Sequence, residues 1–372
     1  MSKRISRRDF IRRTGTALAG ASFAASAGFP SILLPRKKEK LGVALVGLGQ
    51  YAGRVLAPAL QHTRHCELRG IVTGTPSKIP DWQQRYGIPD SNMYNYQTMH
   101  EVAGNDDIDI IYIVLPPSMH AEYSIIAAEA GKHVWCEKPM AMDVSECRAI
   151  IEATEKNRVQ LTIGYRMQHE PNTQTIIRYG REKTYGDLKE VRSGAGFRGN
   201  HAPDNWRARP EMGGGALYDM GVYPINAARH AIGLEPVAVR GTQRSERENY
   251  AKVDEFTDFE MRFPGGITAV CETSFGKSTN YLDITCTGGW YHLRPFQPYG
   301  GVQGETSDGT VLPPDPGNQQ GRQMDNDTLA IKKNTTPIVP GEDGLLDIVV
   351  LQAIMESSRR GGEWIEITEF QK

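Results

Sequence analysis

Residues 41–53 read LGVALVGLGQYAG and decide the fold of the first half of the chain. The first six residues form an apolar run of strand length, and apolar residues recur at helical spacing after the turn. Between them, Gly47, Gly49 and Ala52 occupy the three small-residue positions of a Gly-x-Gly-x-x-Gly/Ala pattern. In this order of strand, turn and helix, the pattern predicts a dinucleotide-binding turn. Gly47 permits the tight turn, and Gly49 lets a pyrophosphate approach the helix N-terminus.

The next strand, expected over 68–72, ends without the acidic residue that NAD-binding proteins usually place there. In those proteins Asp or Glu holds the 2′-hydroxyl of the adenosine ribose. Here residues 73–78 read TGTPSK, so Thr73 and Lys78 supply a hydroxyl and an ammonium group instead. A carboxylate would repel a 2′-phosphate, whereas this pair suits one, and the sequence therefore predicts NADP. The alternative is a plain turn followed by a helix-capping serine.

Strand and helix continue to alternate as far as residue 166, which predicts an α/β Rossmann domain over residues 41–166. Further strands are expected at 108–115, 133–136 and 159–164, and further helices end near residue 130 and cover 143–157. Strands joined by helical crossovers run parallel, so their carboxyl ends open onto one crevice. Lys138 and Arg166 each follow one of these strands and are expected to point into that crevice.

The alternation then stops, and residues 167–372 are expected to form a C-terminal α+β domain. Strands are predicted at 188–196, 236–245, 254–263, 266–275 and 279–288, helices at 172–182, 213–232 and 345–357, and a polar surface loop at 298–327. Close spacing of the strands and the Pro-Gly-Gly turn at 264–266 predict an open, largely antiparallel sheet. Its free face is expected to pair with a second subunit in a homodimer; a covered face in a monomer is the alternative.

Residues 1–27 have the layout of an export signal and are set aside from the fold. Residues 6–11 read SRRDFI, which resembles the motif that the twin-arginine export machinery reads, and a modestly apolar stretch follows from Thr14. The stretch ends with ASA at 25–27, a small-x-small pattern that a signal peptidase can cut. Export to the periplasm is therefore expected, with 28–40 as an extended arm. A disordered basic leader is the alternative.

Composition and charge argue against several classes of function. The formal net charge is −1, and residues 1–27 hold six basic side chains and one acidic one, so the rest is acidic. This argues against nucleic acid and anionic membrane as partners. No apolar stretch reaches the roughly 18 residues of a membrane span, so no membrane anchor is expected. The five cysteines form no Cys-x-x-Cys pair and no histidine cluster has zinc spacing. No metal is therefore expected, and the cysteines are interpreted as small buried side chains.

Motifs spread from about residue 41 to the end resemble those of the glucose–fructose oxidoreductase / inositol dehydrogenase (Gfo/Idh/MocA) family. They are GLG at 47–49, LPPSMH at 115–120, GKH at 131–133, EKP at 137–139, GYR at 164–166, WR at 206–207 and GGGALYDMGVY at 213–223. The similarity is strongest to a periplasmic branch that contains glucose–fructose oxidoreductase and aldose–aldose oxidoreductase. That branch shares the twin-arginine leader and the stretch at 73–78.

Together with the glycine-rich turn and the 73–78 stretch, the resemblance implies a set of cofactor contacts. They are Gly47, Leu48, Gly49, Gln50, Tyr51, Thr73, Lys78, Tyr96, Leu115, Pro116, Ser118, His120, Glu137, Lys138, Arg166, Trp206 and Arg207. The resemblance also implies a cis peptide bond before Pro139, which would aim Lys138 into the site.

Lys138, Asp219 and Tyr223 are the expected catalytic residues, and with Arg166 they are expected to bind the substrate. Asp219 and Tyr223 are four residues apart on a predicted helix and therefore share a face. Oxidation of a pyranose at C1 requires a base at the C1 hydroxyl while hydride leaves for the nicotinamide. A free tyrosine titrates near pH 10, and a nearby ammonium group favours its anion. Tyr223 is therefore expected to act as acid/base with Lys138 as its electrostatic partner. Asp219 would orient the sugar or Lys138, and the sequence leaves open which of Tyr223 and Asp219 holds the proton.

Export adds a constraint on the mechanism. The twin-arginine route carries folded proteins, and little free NADPH is expected outside the cytoplasm. The hypothesis is a tightly bound, internally recycled cofactor with ping-pong kinetics, in which an aldose becomes a lactone and a second aldose or ketose becomes an alditol. The alternatives are an NADP-dependent sugar dehydrogenase with exchangeable cofactor and a redox-assisted glycosidase of the same superfamily. A third is a sugar-sensing or scaffold protein with vestigial cofactor.

Overall fold

The computed structural model of the protein describes residues 38–369, and two β-sheets with flanking helices account for most of them. The expected export signal at 1–27 and most of the expected arm at 28–40 lie outside the described residues.

The first sheet has six parallel strands in the order β3-β2-β1-β4-β5-β6. The strands are β1 (Leu41–Val46), β2 (Cys66–Val72), β3 (Met93–Tyr94), β4 (Ile110–Ile113), β5 (His133–Cys136) and β6 (Leu161–Ile163). Strand β1 pairs with β2 on one side and β4 on the other, so the strand order reverses beside β1. Ligands of open α/β sheets bind at such a reversal, outside the carboxyl ends of the strands.

Helices cover both faces of this sheet, which explains why its central strands read as continuous apolar runs. The helices are α1 (Ala57–Leu60), which continues a π-helical turn at Ala52–Leu56, α2 (Ile79–Tyr86), α3 (His120–Glu129) and α4 (Val144–Lys156). Every residue of β4 is fully buried. The predicted Rossmann architecture is confirmed.

The second sheet has nine strands in the order β14-β13-β12-β11-β7-β10-β9-β8-β15. They are β7 (Leu188–Gly196), β8 (Ala238–Arg244), β9 (Phe256–Arg262), β10 (Thr268–Ser274), β11 (Thr279–Cys286), β12 (Trp290–Leu293), β13 (Gly304–Thr306), β14 (Val311–Leu312) and β15 (Ile365–Glu366). Strands β7 and β10 are parallel, and the other neighbours are antiparallel. The predicted open, largely antiparallel sheet is confirmed.

One face of the second sheet is apolar and the other is charged. The C-terminal helices are α5 (Pro171–Glu182), α6 (Val222–Ile232), α7 (Gln319–Lys333) and α8 (Gly341–Arg359). Helix α6 packs on β7 and α8 packs on β8. Side chains that point the other way form cross-strand ion pairs, including Arg240 with Glu260 at 2.6 Å and Arg244 with Asp258 at 2.7 Å. This charged face is the one that we expect to pair with a second subunit, and the homodimer stays a prediction.

The prediction of a polar surface loop over 298–327 is wrong. The segment contains β13, β14 and the first part of α7, and α7 packs against the Rossmann sheet. Met324 is fully buried there, and the Asp325 carboxylate accepts the backbone N–H groups of Arg64 and His65 at 2.9 and 2.8 Å. Most of the buried side chains of α7 are polar, such as Gln320 and Gln323, so the helix lacks the apolar periodicity that sequence reasoning requires.

The predicted helix at 213–232 begins later than expected. Gly213 and Gly215 have φ values of +79° and +107°, which an α-helix cannot include. The helical region starts with a π-helical turn at Leu217–Gly221 and continues as α6.

All five cysteines are buried and free of disulfides, as interpreted from the sequence. Among residues 38–369, no helix has the length and apolar character needed to cross a membrane. In the same part of the chain, no group of three His, Cys, Asp or Glu residues is placed to hold a metal ion.

The buried ion pairs of Arg229 predict a large loss of stability in Arg229→Met. The guanidinium, 2% exposed, lies 2.5 Å from Asp347 and 3.0 Å from Asp343, and the substitution would leave those carboxylates buried without a counter-charge. We expect the free energy of unfolding in urea to fall by about 3–5 kcal/mol. The matched control is Arg359→Met, which breaks the exposed pair with Glu356 at the end of α8 and should cost about 0–1 kcal/mol. Equal losses in the two variants would contradict this account.

Candidate active site

Lys138, Asp219 and Tyr223 come together at the carboxyl end of β5. Lys138 follows that strand, and the Lys138–Pro139 peptide bond is cis, as the resemblance implies. The Lys138 ammonium group donates to the backbone oxygen of Asp219 at 2.8 Å and lies 3.6 Å from its carboxylate. It also lies over the ring of Tyr223, 4.5 Å from the centroid. The sequence therefore selected three side chains that share one buried site.

The backbone oxygen of Asp219, which accepts from Lys138, lies in an irregular part of the helix. Residues Leu217–Gly221 form a π-helical turn, in which a carbonyl accepts from the N–H five residues later. For Asp219 that position is Pro224, which has no N–H. The Asp219 carbonyl therefore cannot form an i to i+5 bond, and it accepts from the Lys138 ammonium group at 2.8 Å.

Asp254 fixes the start of the same helical turn from a neighbouring loop. Its backbone oxygen accepts the N–H of Ala216 at 3.0 Å, and its carboxylate accepts the N–H of Leu217 at 2.8 Å. A Cβ on Gly215 would lie 2.1 Å from that carboxylate, so only glycine fits between them. Burial raises the pKa of Asp254 to about 6. The glycine-rich entry to the helix thus allows a close clamp on the turn that carries Asp219.

Arg207 completes the charge cluster. Its Nε donates to the Asp219 carboxylate at 2.7 Å, and its guanidinium stacks on Trp206, 4.4 Å from the ring centroid. Burial by itself would raise the pKa of Asp219, but the charges of Arg207 and Lys138 outweigh burial and lower it. Asp219 is therefore an ionised carboxylate held between two cations at neutral pH.

Glu137 and Lys138, beside this cluster, each affect the pKa of the other. Burial opposes the charge on Lys138, but the acidic groups of Tyr223, Asp219 and Glu137 outweigh burial and raise the lysine pKa. Burial also raises the pKa of Glu137, although its carboxylate accepts the Tyr112 hydroxyl at 2.7 Å. The ammonium group of Lys138 is thus a fixed positive charge at the centre of the site.

Arg166 lies beside the site, where its guanidinium is held by protein groups. The residue is 1% exposed, and its guanidinium donates to the backbone oxygen of Gln297 at 2.6 Å and to the side chain of Gln319 at 2.8 Å. These bonds leave little of it for direct contact with cofactor or sugar. Arg166 instead holds the loop between β12 and β13 against the site, with its guanidinium 5.5 Å from the ring centroid of Tyr223.

Tyr299, in that same loop, is the main site residue that sequence reasoning missed. Its ring lies 4.9 Å from the Arg166 guanidinium and 5.6 Å from the ring of Tyr51 in the glycine-rich turn. The residue is 57% exposed, so it forms part of the open wall of the site. The sequence around it, PFQPYGG at 295–301, predicts only a turn.

His120 is also placed differently from expectation. It is fully buried, and its ring nitrogens lie 2.8 Å from the backbone oxygens of Pro139 and Leu115. A residue with no exposed surface cannot contact a cofactor, so His120 acts by linking the turn after β4 to the turn that carries Lys138. Burial lowers its pKa.

The glycine-rich turn fits a dinucleotide. Gly47 has a φ of +90°, and a Cβ there would lie 2.4 Å from the backbone oxygen of Val114. A Cβ on Gly49 would meet no atom within 4 Å, so the space in front of the turn is open to a pyrophosphate. Lys78 donates to the backbone oxygen of Leu48 at 2.7 Å, which places an ammonium group beside the turn.

The turn after β2 suits a 2′-phosphate, although one predicted donor has another role. Thr73 is 3% exposed, and its hydroxyl accepts the N–H of Thr75, so it shapes the turn rather than facing a ligand. Thr75, Ser77 and Lys78 are exposed and offer two hydroxyls and a cation without a carboxylate. Tyr96 packs directly on Gly74 and forms one side of this region.

The remaining predicted contacts border the same crevice. Gln50 begins the helical region after the glycine-rich turn, Pro116 precedes the 3₁₀ turn at Pro117–Met119, and the Ser118 hydroxyl lies 3.6 Å from the sulfur of Met212.

Comparison with known proteins agrees with this architecture. Residues 41–165 match the "Oxidoreductase family, NAD-binding Rossmann fold", and residues 173–292 match the "GFO/IDH/MocA C-terminal domain". D-xylose 1-dehydrogenase [NADP(+)] of Haloarcula marismortui is 30% identical over 333 residues, which are 85% of this chain and 90% of that protein. The chain belongs to the GFO/IDH/MocA family of oxidoreductases. The resemblance inferred from the motifs is confirmed.

Two further relatives of this GFO/IDH/MocA oxidoreductase are informative. The crystal structure of aldose–aldose oxidoreductase from Caulobacter crescentus, complexed with glycerol, is 36% identical with a TM-score of 0.84. The match covers 88% of this chain and 99% of that one. D-xylose 1-dehydrogenase (NADP(+)) 2 of Haloferax volcanii is 27% identical over 328 residues, which are 86% of this chain and 97% of that protein.

The position of Lys78 predicts selectivity for a 2′-phosphorylated dinucleotide. In Lys78→Ala we expect the affinity for NADP+ to fall about tenfold and the affinity for NAD+ to stay unchanged, because only the former carries the phosphate. Calorimetric titration of nucleotide-free protein measures both. Lys156→Ala, an exposed lysine at the end of α4, is the control. An equal loss for both dinucleotides would contradict the assignment.

Proposed function

We propose that the protein is an NADP-dependent sugar oxidoreductase that recycles one tightly bound cofactor between two sugars. A first aldose is oxidised at C1 to a lactone, and a second aldose or ketose is reduced to an alditol. The observation that carries the proposal is the buried cluster of Lys138, Asp219, Arg207 and Tyr223 beside a turn that fits a dinucleotide. The activities for which two relatives are named, aldose–aldose oxidoreductase and NADP-dependent xylose dehydrogenase, support the same chemistry.

The cluster supports a division of roles among its members. Asp219 has a lowered pKa, so its carboxylate does not retain a proton near neutral pH. A carboxylate with so low a proton affinity is a weak base, which leaves Tyr223 as the group that takes the proton from the sugar oxygen in its tyrosinate form and later returns it as the hydroxyl. The bound dinucleotide supplies a two-electron hydride acceptor at C1.

Charge balance in the two half-reactions follows from these roles. When the sugar is oxidised, the hydrogen on C1 leaves as a hydride with both electrons of the C1–H bond. The C1 oxygen loses its proton to Tyr223, and the carbonyl of the lactone forms. In the reverse direction a sugar carbonyl gains a hydride and receives the proton. Lys138 holds a fixed positive charge that stabilises negative charge on the reacting oxygen in both directions.

Two further elements of the proposal concern where the enzyme works and how it assembles. The leader at 1–27 supports export by the twin-arginine pathway to the periplasm, where free NADP(H) would be scarce and internal recycling would be needed. The charged outer face of the second sheet is the surface proposed to form a homodimer. Cross-strand pairs such as Arg240–Glu260 would then exchange partners across the two-fold axis.

The deciding experiment tests whether the cofactor leaves the protein. Purified protein is freed of exchangeable nucleotide, the retained nucleotide is identified by mass, and absorbance at the nicotinamide band is followed during addition of sugars in pairs. Sustained formation of lactone and alditol without added nucleotide supports recycling. A strict need for added NADP+ would favour an ordinary dehydrogenase, as the names of the two xylose-oxidising relatives suggest.

The assignment of Tyr223 predicts a selective loss of turnover in Tyr223→Phe. Without the hydroxyl, kcat should fall by about 10²–10⁴-fold, because general acid–base catalysis contributes that range. Dinucleotide binding should be unchanged. The control is Tyr165→Phe, which removes the hydroxyl of a buried ring that lies edge-on to Tyr223 with centroids 6.5 Å apart. Near-normal turnover of Tyr223→Phe, or an equal loss in the control, would overturn the assignment.

A further inference from the structure

His201, in the loop after β7, is held in place more tightly than a partly exposed loop residue requires. Its backbone N–H donates to the Tyr250 hydroxyl oxygen at 3.2 Å, and its backbone oxygen accepts the side-chain N–H of Asn249 at 2.8 Å. The same Tyr250 hydroxyl lies 2.8 Å from Nδ1 of the imidazole. The loop between β8 and β9 therefore fixes both the backbone and the ring of this residue.

Aromatic side chains fix the plane of the ring. Phe197, Phe275 and Tyr250 lie edge-on to the imidazole, with centroids 5.7, 5.1 and 5.9 Å away. Arg247 secures this group, because its guanidinium donates to the backbone oxygen of Phe275 at 2.7 Å. The imidazole is thus presented in one orientation.

The Tyr250 hydroxyl also decides which ring nitrogen carries the proton. Tyr250 is fully buried, and among residues 38–369 its oxygen hydrogen-bonds only to His201, as acceptor of the backbone N–H and as neighbour of Nδ1. A buried hydroxyl that donates to nothing is costly, so its proton points to Nδ1. Nδ1 is then an acceptor, and in the neutral ring Nε2 carries the hydrogen. Nε2 is consequently a donor whose position is set by the protein.

His201 lies at the start of the loop that carries Arg207: the N–H of Asn205 donates to the backbone oxygen of Ala202 at 2.9 Å, and the 3₁₀ turn Trp206–Ala208 follows directly. The charges of Arg207 and Asp219 both act on the imidazole, and the imidazole acts in turn on the Asp219 carboxylate. Burial is the largest influence on His201 and, with Arg207, lowers its pKa, so the ring is neutral at pH 7. It therefore offers a hydrogen-bond donor without a positive charge, which suits an uncharged polyol better than a phosphate ester.

We propose that His201 is a substrate-binding residue whose Nε2–H donates a hydrogen bond to an oxygen of an uncharged sugar, and that Tyr250 is the positioning residue that fixes this donor. The inference rests on the proposed function, because it assigns a sugar contact within the same site. It adds a determinant of sugar choice outside the helix that carries Asp219 and Tyr223.

The test compares sugar kinetics of the full-length holoenzyme in four variants. In His201→Ala we expect KM for the sugar to rise about tenfold with kcat changed about twofold or less, since one neutral hydrogen bond is lost. His201→Gln keeps an N–H donor and should recover part of the affinity. Tyr250→Phe should give a smaller rise in KM, because the ring remains but its tautomer is no longer fixed. His62→Ala, an exposed histidine of the first domain, should match the wild type.

A panel of monodeoxy sugars identifies the contact. The wild type should bind one deoxy analogue more weakly than the parent sugar. His201→Ala should bind that analogue and the parent sugar equally well. Unchanged KM in both His201→Ala and Tyr250→Phe, or a rise that is equal for every analogue and is not relieved in His201→Gln, would overturn the proposal. If the wild type turns over no sugar at all, the proposed function itself fails, and this inference fails with it. If the wild type turns over sugar normally and the His201 variants have the same KM as the wild type, the inference fails and the proposed function stands.

Discussion

The site depends on one buried carboxylate that is held between two cations. Removing a carboxylate from water is very costly unless oppositely charged donors replace the lost hydration. Arg207 and Lys138 do this for Asp219, and they reach it from a 3₁₀ turn and from the end of a parallel strand. Two domains of different architecture therefore meet at a single charged group. The absence of a side chain at Gly215 lets the Asp254 carboxylate approach the turn that carries Asp219.

The balance of charge around that carboxylate also suits the chemistry. Two cations surround one anion, so the local field favours negative charge on an incoming oxygen. A sugar oxygen that is losing its proton develops such a charge. Because Lys138 is already bonded to the backbone oxygen of Asp219, it does not need to move when that charge appears. The same arrangement would work in both directions of a reversible transfer.

Local patterns in the sequence predicted those features that local physics determines. The strand, turn and helix around Gly47 follow from strand length and the need for positive φ, and Lys138 and Tyr223 follow from motifs beside strand ends and helices. Features that depend on distant contacts were not predictable. The role of Arg166 as a loop anchor is one example, because Gln297 and Gln319, which accept its N–H groups, lie more than a hundred residues away in the sequence. Helix α7 was missed because most of its buried side chains are polar, which resembles a loop in a reading of hydropathy.

Helix α7 has a consequence for how such proteins can be rearranged. It comes late in the chain, yet it packs on the first sheet, covers Cys66 and donates through Gln323 to Tyr112. The dinucleotide half is therefore completed by sequence from the other half. Genetic exchange of the catalytic half alone would place a foreign α7 against the surface around Cys66 and would put the contact between Gln323 and Tyr112 at risk. Functional chimaeras of this architecture would need to inherit α7 from the same parent as β2 and β4, which makes the chain a single unit of inheritance rather than two interchangeable modules.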